Sequence, residues 1–167
     1  LALALIALEL AQRLQVPLAG VNFPGHFLLR VPGADHLLDP CGGRRLYPND
    51  CRELLQRQYG AHIKLSAEHL ASAEPLQMFQ RLSRNLRQLH LSYDDHLGAL
   101  INAERVLEIG NGSAADYLAR ASLYQRLECP NAERFDLEHA LLLSDDPIQR
   151  LRLTERLGHL PPNTIVH

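Results

Sequence analysis

The sequence predicts an α+β unit followed by an all-α helical array. Three observations point there. The chain opens on an Ala/Leu-rich run, continues through short apolar runs broken by Gly and Pro, and after about Glu74 loses those breakers and turns helical throughout.

Residues 1–14 read as a buried helix, since Ala and Leu are good helix formers and polarity begins only at Glu9. Pro17 ends it. Extended runs follow at Leu18–Phe23, His26–Val31, His36–Asp39 and Arg44–Tyr47, separated by Pro24-Gly25, Pro32-Gly33 and Gly42-Gly43. Such spacing predicts antiparallel strands. Asn49 or Asp50 is expected to cap a helix over Cys51–Tyr59. Beyond Pro75, helices are expected over 75–92, 95–109, 113–127 and 131–143, with a shorter one over 147–158. The turn signals between them are Tyr93-Asp94-Asp95, Gly110-Asn111-Gly112, Cys129-Pro130 and Asp145-Asp146-Pro147.

A shift of 34 residues superposes Leu89 on Leu123, Ile101 on Phe135, Val106 on Ala140 and Leu107 on Leu141. That is the length of a tetratricopeptide (TPR) helix–turn–helix unit. Two such units rarely bury a full core, so they are expected to lean on the N-terminal part or on the helix at 147–158.

Composition narrows the function. Apolar residues make up 46% of 167, enough for a real core. Net charge is −2, with Lys64 the lone lysine, so nothing argues for nucleic acid or an anionic membrane surface. The opening apolar run is shorter than the roughly 20 residues a membrane helix needs and has no signal-peptide pattern. It lacks an initiator Met and starts in helix, so the chain reads as a fragment of a longer protein. Three cysteines, Cys41, Cys51 and Cys129, form no CxxC pair. This argues against a disulfide framework or a zinc site and fits a reducing, cytoplasmic setting. The nine histidines form no HxxxH or HExxH on a helix, so no metal or other cofactor is expected.

The stretch with most chemistry runs from Gly20 to Arg30 and on to Leu37–Gly43. His26 opens one strand and Asp39 closes the next. On adjacent strands the carboxylate can accept from the imidazole, as a Cys–His–Asp nucleophile system requires. Cys41, two residues past Asp39, is a candidate thiol near His26, set against the reading that it fills a place where a medium apolar side chain suffices. Arg81, Arg84 and Arg87 trail along one helix face and are candidates for an acidic partner segment.

The order helix, x-V-P, G-x-x-x-P-G-H-F-L-x-R and D-P-x-x-G-G resembles the bacterial SirB-type transglutaminase-like/TPR family. Arg84-Asn85-Leu86-Arg87 and Asp136-Leu137-Glu138 are similar to that family's C-terminal TPR section. The resemblance implies a partial transglutaminase-like (papain-like) domain over 1–74, TPR-like repeats over 75–160 and a tail over 161–167. It puts His26 and Asp39 at the catalytic histidine and aspartate positions. The cysteine position falls at about Leu1, where Leu1–Ala4 offer no nucleophile. The resemblance therefore implies a degenerate site and a protein-interaction or regulatory role, with a protein or peptide partner on the helices. The rival expectation is a Cys-dependent acyl transferase or hydrolase whose thiol lies upstream or is Cys41.

Overall fold

The computed structural model describes residues 1–161. Most of the expected tail, 162–167, lies outside the described residues. The chain divides into two compact units, Leu1–Met78 and the portion from Phe79 onward.

The first unit is a helix–sheet–helix sandwich. Helix α1 spans Ala2–Arg13, and strands β1 (Ala19–Val21), β2 (Leu28–Arg30), β3 (Leu37–Asp39) and β4 (Arg44–Leu46) form one antiparallel sheet in sequence order. Each strand keeps only three residues of the longer expected runs, because the Gly and Pro turns take the rest. Helix α2 follows at Pro48–Tyr59. Its start differs from expectation. Pro48 opens the helix, and Asp50 sits in the first turn, where its carboxylate accepts from the Tyr47 amide at 2.8 Å. A proline suits that opening place because the missing N–H would have no helical acceptor.

Strand alternation sorts the core onto two faces. Leu28 and Leu37 join Val21, Phe23 and Leu46 against Cys51 and Leu55 of α2. Leu29 packs with Phe27 and with Ala4 of α1 on the opposite face, where Leu38 also lies. After α2 the chain crosses a single 3₁₀ turn at Glu68–Leu70 and returns along β1, with the Ala73 amide donating to the Gly20 carbonyl at 2.7 Å.

The helices come as expected and in order: α3 (Pro75–Ser92), α4 (His96–Ile109), α5 (Ala114–Arg126), α6 (Pro130–Leu143) and α7 (Pro147–His159). Asp95, Ser113 and Asp146 cap α4, α5 and α7 through their side chains. Helix α7 is not a shorter appendage, for its 13 residues equal α5. The spacing of 34 recurs in the helix limits. His96 and Pro130 begin α4 and α6, Ile109 and Leu143 end them, and Asp94 and Glu128 take the same left-handed backbone, φ 56° and 55°, just before.

Small residues let these helices approach. Ala99 and Ala103 of α4 are buried against Leu123 of α5, while Ala121 of α5 and Ala140 of α6 are buried with Leu137 and Leu153. Helix α7 thus closes the second of these clusters with Leu153 and Leu157. Among the described residues no helix is long and apolar enough to cross a membrane.

Candidate functional site

His26 and Asp39 lie at one end of the sheet. The β2–β3 register pairs Leu29 with Leu38, which brings the start of β2 and the end of β3 to the same edge, with His26 two residues before β2 and Cys41 in the turn after Asp39. The first turn of α1 comes to the same region, because fully buried Ala4 packs with Phe27 and Leu29. Helix start, strand start and strand end therefore converge.

His26 is set by the turn before β2. Its amide donates to the Phe23 carbonyl at 3.1 Å, and Gly25 takes φ +73°, the conformation required at the third position of a type II turn that follows proline. A side chain on Gly25 would be strained in that conformation and would also run into Gln58 of α2. His26 is exposed, and among the described residues its imidazole makes no hydrogen bond or ion pair.

Asp39 serves its own turn. Its Oδ1 accepts from the Cys41 amide at 2.9 Å, and its carbonyl accepts from the Gly43 amide at 2.8 Å. This is the habit of an aspartate that builds a turn from its own backbone. The expected imidazole–carboxylate hydrogen bond is not formed in this structure. Asp39 also borders a groove of about 370 Å³ with Leu3, Ile6 and Leu10 of α1, walls that are hydrocarbon and hold no nucleophile.

The cysteines differ in surroundings. Cys41 is exposed in the turn after Asp39, and Cys129 is exposed with its Sγ donating to the Leu127 carbonyl at 3.4 Å. Cys51 is 1% exposed, and burial, with the Asp50 charge second, pushes its thiol above the ordinary range. That is the reverse of an activated nucleophile. Among the described residues no group of three or more His, Cys, Asp or Glu side chains gathers as a metal site would.

The α3 arginines are held differently from one another. Arg84 forms a two-pronged pair with Asp116, 2.8 Å at each contact. Arg87 has a buried Nη1 without a hydrogen-bond partner, and burial lowers its pKa. Arg81 makes contacts of its own.

Two further ion pairs are buried between helices. Arg120 clasps Asp136 at 2.9 and 2.7 Å, with Asp136 fully buried, and Arg156 holds Glu133 at 2.8 Å. The available signal was an acid at positions 116, 133 and 136 on the apolar faces of α5 and α6. Charges rarely occupy such places unless paired.

The profile described as Transglutaminase-like superfamily matches residues 1–84. A UPF0162 protein of Pseudomonas aeruginosa is 62% identical over 164 residues, covering 98% of this chain and 61% of the relative. A UPF0162 protein of Xylella fastidiosa is 33% identical across 86% of this chain and 53% of its own length. Protein SirB1 of Salmonella typhimurium is 26% identical across 89% of this chain and 57% of its own length. The chain thus spans about three-fifths of these relatives or less. No solved structure matches it significantly. With a matching profile across the sandwich and relatives along nearly the whole sequence, the chain belongs to the transglutaminase-like superfamily, as a SirB-type protein.

Proposed function

We propose that this chain is a non-catalytic protein-interaction and regulatory module, with a degenerate transglutaminase-like site and TPR-like helices that take a protein or peptide partner. The observation that carries this reading is the engagement of Asp39 with the Cys41 amide, which leaves the His26 imidazole without its orienting carboxylate. A Cys–His–Asp system needs that carboxylate to fix the tautomer and to support the imidazolium. The partner face is supported by the repeat. Ile101 of α4 and Phe135 of α6 stand 34 residues apart, and each keeps about half its surface exposed, at 50% and 52%. Exposed apolar residues recurring at one repeat position suit an amphipathic partner segment. The three free cysteines fit a cytoplasmic setting.

One observation favours an enzyme instead. His26 and Cys41 are both exposed, one just before β2 and the other in the turn after β3, at the same end of the sheet. The same experiment separates the readings. The full-length protein is treated at neutral pH with a chloroacetamide probe, with and without His26→Ala, and the labelled thiols are mapped. We expect labelling that is independent of His26. Labelling of Cys41, or of a thiol elsewhere in the full-length protein, that collapses in His26→Ala overturns the interaction-module reading.

A further inference from the structure

The face of the sheet that carries α2 holds a second cavity, of about 320 Å³, which neither His26 nor Asp39 lines. That volume falls at the small end of ligand pockets. Its apolar wall is part of the first unit's core: Leu37 and Leu46, only 6% and 5% exposed, with Leu70 and the buried Cys51. Its polar wall is Arg30 and His36, with the Asp35 carboxylate beside His36.

Both polar groups are held with hydrogen-bonding capacity to spare. Arg30 donates one Nη2 hydrogen bond to the Leu70 carbonyl, which ties its guanidinium to the cavity. Among the described residues it has no acidic partner, and its Nε and Nη1 make no hydrogen bond. His36 is oriented from two sides. Its Nδ1 meets Asp35 Oδ1 at 2.9 Å, and its ring leans on Tyr47 at 5.5 Å between centroids. Among the described residues Nε2 has no partner. With Asp35 on Nδ1, Nε2 is the ring nitrogen left to meet a ligand.

Among the described residues Arg30 is paired with no acid, the Asp35 carboxylate being engaged by His36, and a cation so placed beside an apolar wall suits a molecule with one anionic end and a hydrocarbon body. We propose that this cavity binds a short aliphatic carboxylate, with its carboxylate held by Arg30 and His36 and its chain lying against Leu37, Leu46, Leu70 and the Cys51 thiol. The inference does not rest on the interaction-module reading, since it uses none of that reading's residues.

The test is an amide NMR titration of the intact chain with hexanoate, and with hexan-1-ol as the uncharged control. Hexanoate is expected to give saturable shifts at Ala34–Leu37 and Leu46–Cys51, with hexan-1-ol at least about tenfold weaker, a difference of about 1.4 kcal/mol. Arg30→Gln should weaken hexanoate, but it also loses the bond to the Leu70 carbonyl. His36→Gln leaves that bond in place and should weaken hexanoate at least about fivefold while hexan-1-ol is unchanged. Equal affinity for the alcohol, shifts confined to other surfaces, no saturation, or an unaffected His36→Gln protein each overturn the proposal.

Discussion

Arg84 of α3 clasps Asp116 in the first turn of α5, Nε to Oδ1 and Nη2 to Oδ2, both at 2.8 Å. Asp116 is 4% exposed and also accepts from the Ser113 hydroxyl at 2.7 Å. Burial alone would raise its pKa, but the hydrogen bonds from Arg84 and Ser113 outweigh it and hold the carboxyl at about 2. A carboxyl lowered on folding adds stability above its unfolded value and loses it as pH falls through the folded one. We therefore expect about 2 kcal/mol of stability to disappear as pH drops from about 4 to about 2. Urea unfolding across that range checks this, with Asp116→Asn expected to flatten the dependence.

The neighbouring pair is more deeply set. Asp136 is fully buried and takes both prongs of Arg120. Asp136→Ala leaves the Arg120 guanidinium without its counter-charge in a partly buried place, at a cost of about 3–5 kcal/mol. Chemical denaturation should register this loss with the helical content retained in the native baseline. A cost below about 1 kcal/mol would show that water replaces the carboxylate freely.

Arg84 and Arg87 share one helix face but should answer substitution in opposite ways. Arg84→Met abandons buried Asp116 and should destabilise by about 3 kcal/mol or more. Arg87→Met removes a buried Nη1 that has no hydrogen-bond partner and keeps an apolar stem of similar length. Its expected effect ranges from neutral to about 1 kcal/mol of added stability, because an unmet polar atom leaves the interior. Thermal melts of the two single variants decide it, and similar losses in both would refute the contrast.

At the sheet end, Asp39→Ala should cost about 1 kcal/mol through the lost Cys41 amide bond. His26→Ala should stay within about 0.5 kcal/mol, as an exposed side chain without a hydrogen-bond partner among the described residues. Equilibrium urea unfolding of each, and of the double variant, measures whether the two are coupled. Additive losses are expected, and a coupling above about 0.5 kcal/mol would mean that the imidazole and the carboxylate interact in solution.

Much of this architecture was legible along the chain. Gly and Pro punctuation placed all four strands, and the turn dipeptides placed five consecutive helices, because both signals are local backbone preferences. The 34-residue period was visible too: Val106 and Ala140 are both buried and Ile101 and Phe135 both half exposed, although Leu89 is exposed where Leu123 is buried. The start of α2 was less legible. Asn49 and Asp50 both have capping chemistry, and only the path of the backbone leaving β4 put Pro48 first and Asp50 in the opening turn.

The local order of residues by itself told which segments are helix, which are strand, and that His26 and Asp39 come to the same end of neighbouring strands, though His26 sits in the turn two residues before β2 rather than on it. It left open which partner each polar side chain takes. Arg84 finds Asp116 across 32 residues, Arg120 finds Asp136 across 16, and Asp39 turns to the amide two residues on instead of to His26. A hydrogen bond forms or fails within a few tenths of an ångström, and that distance is set by how whole elements pack. No pattern of residue types along the chain carries it.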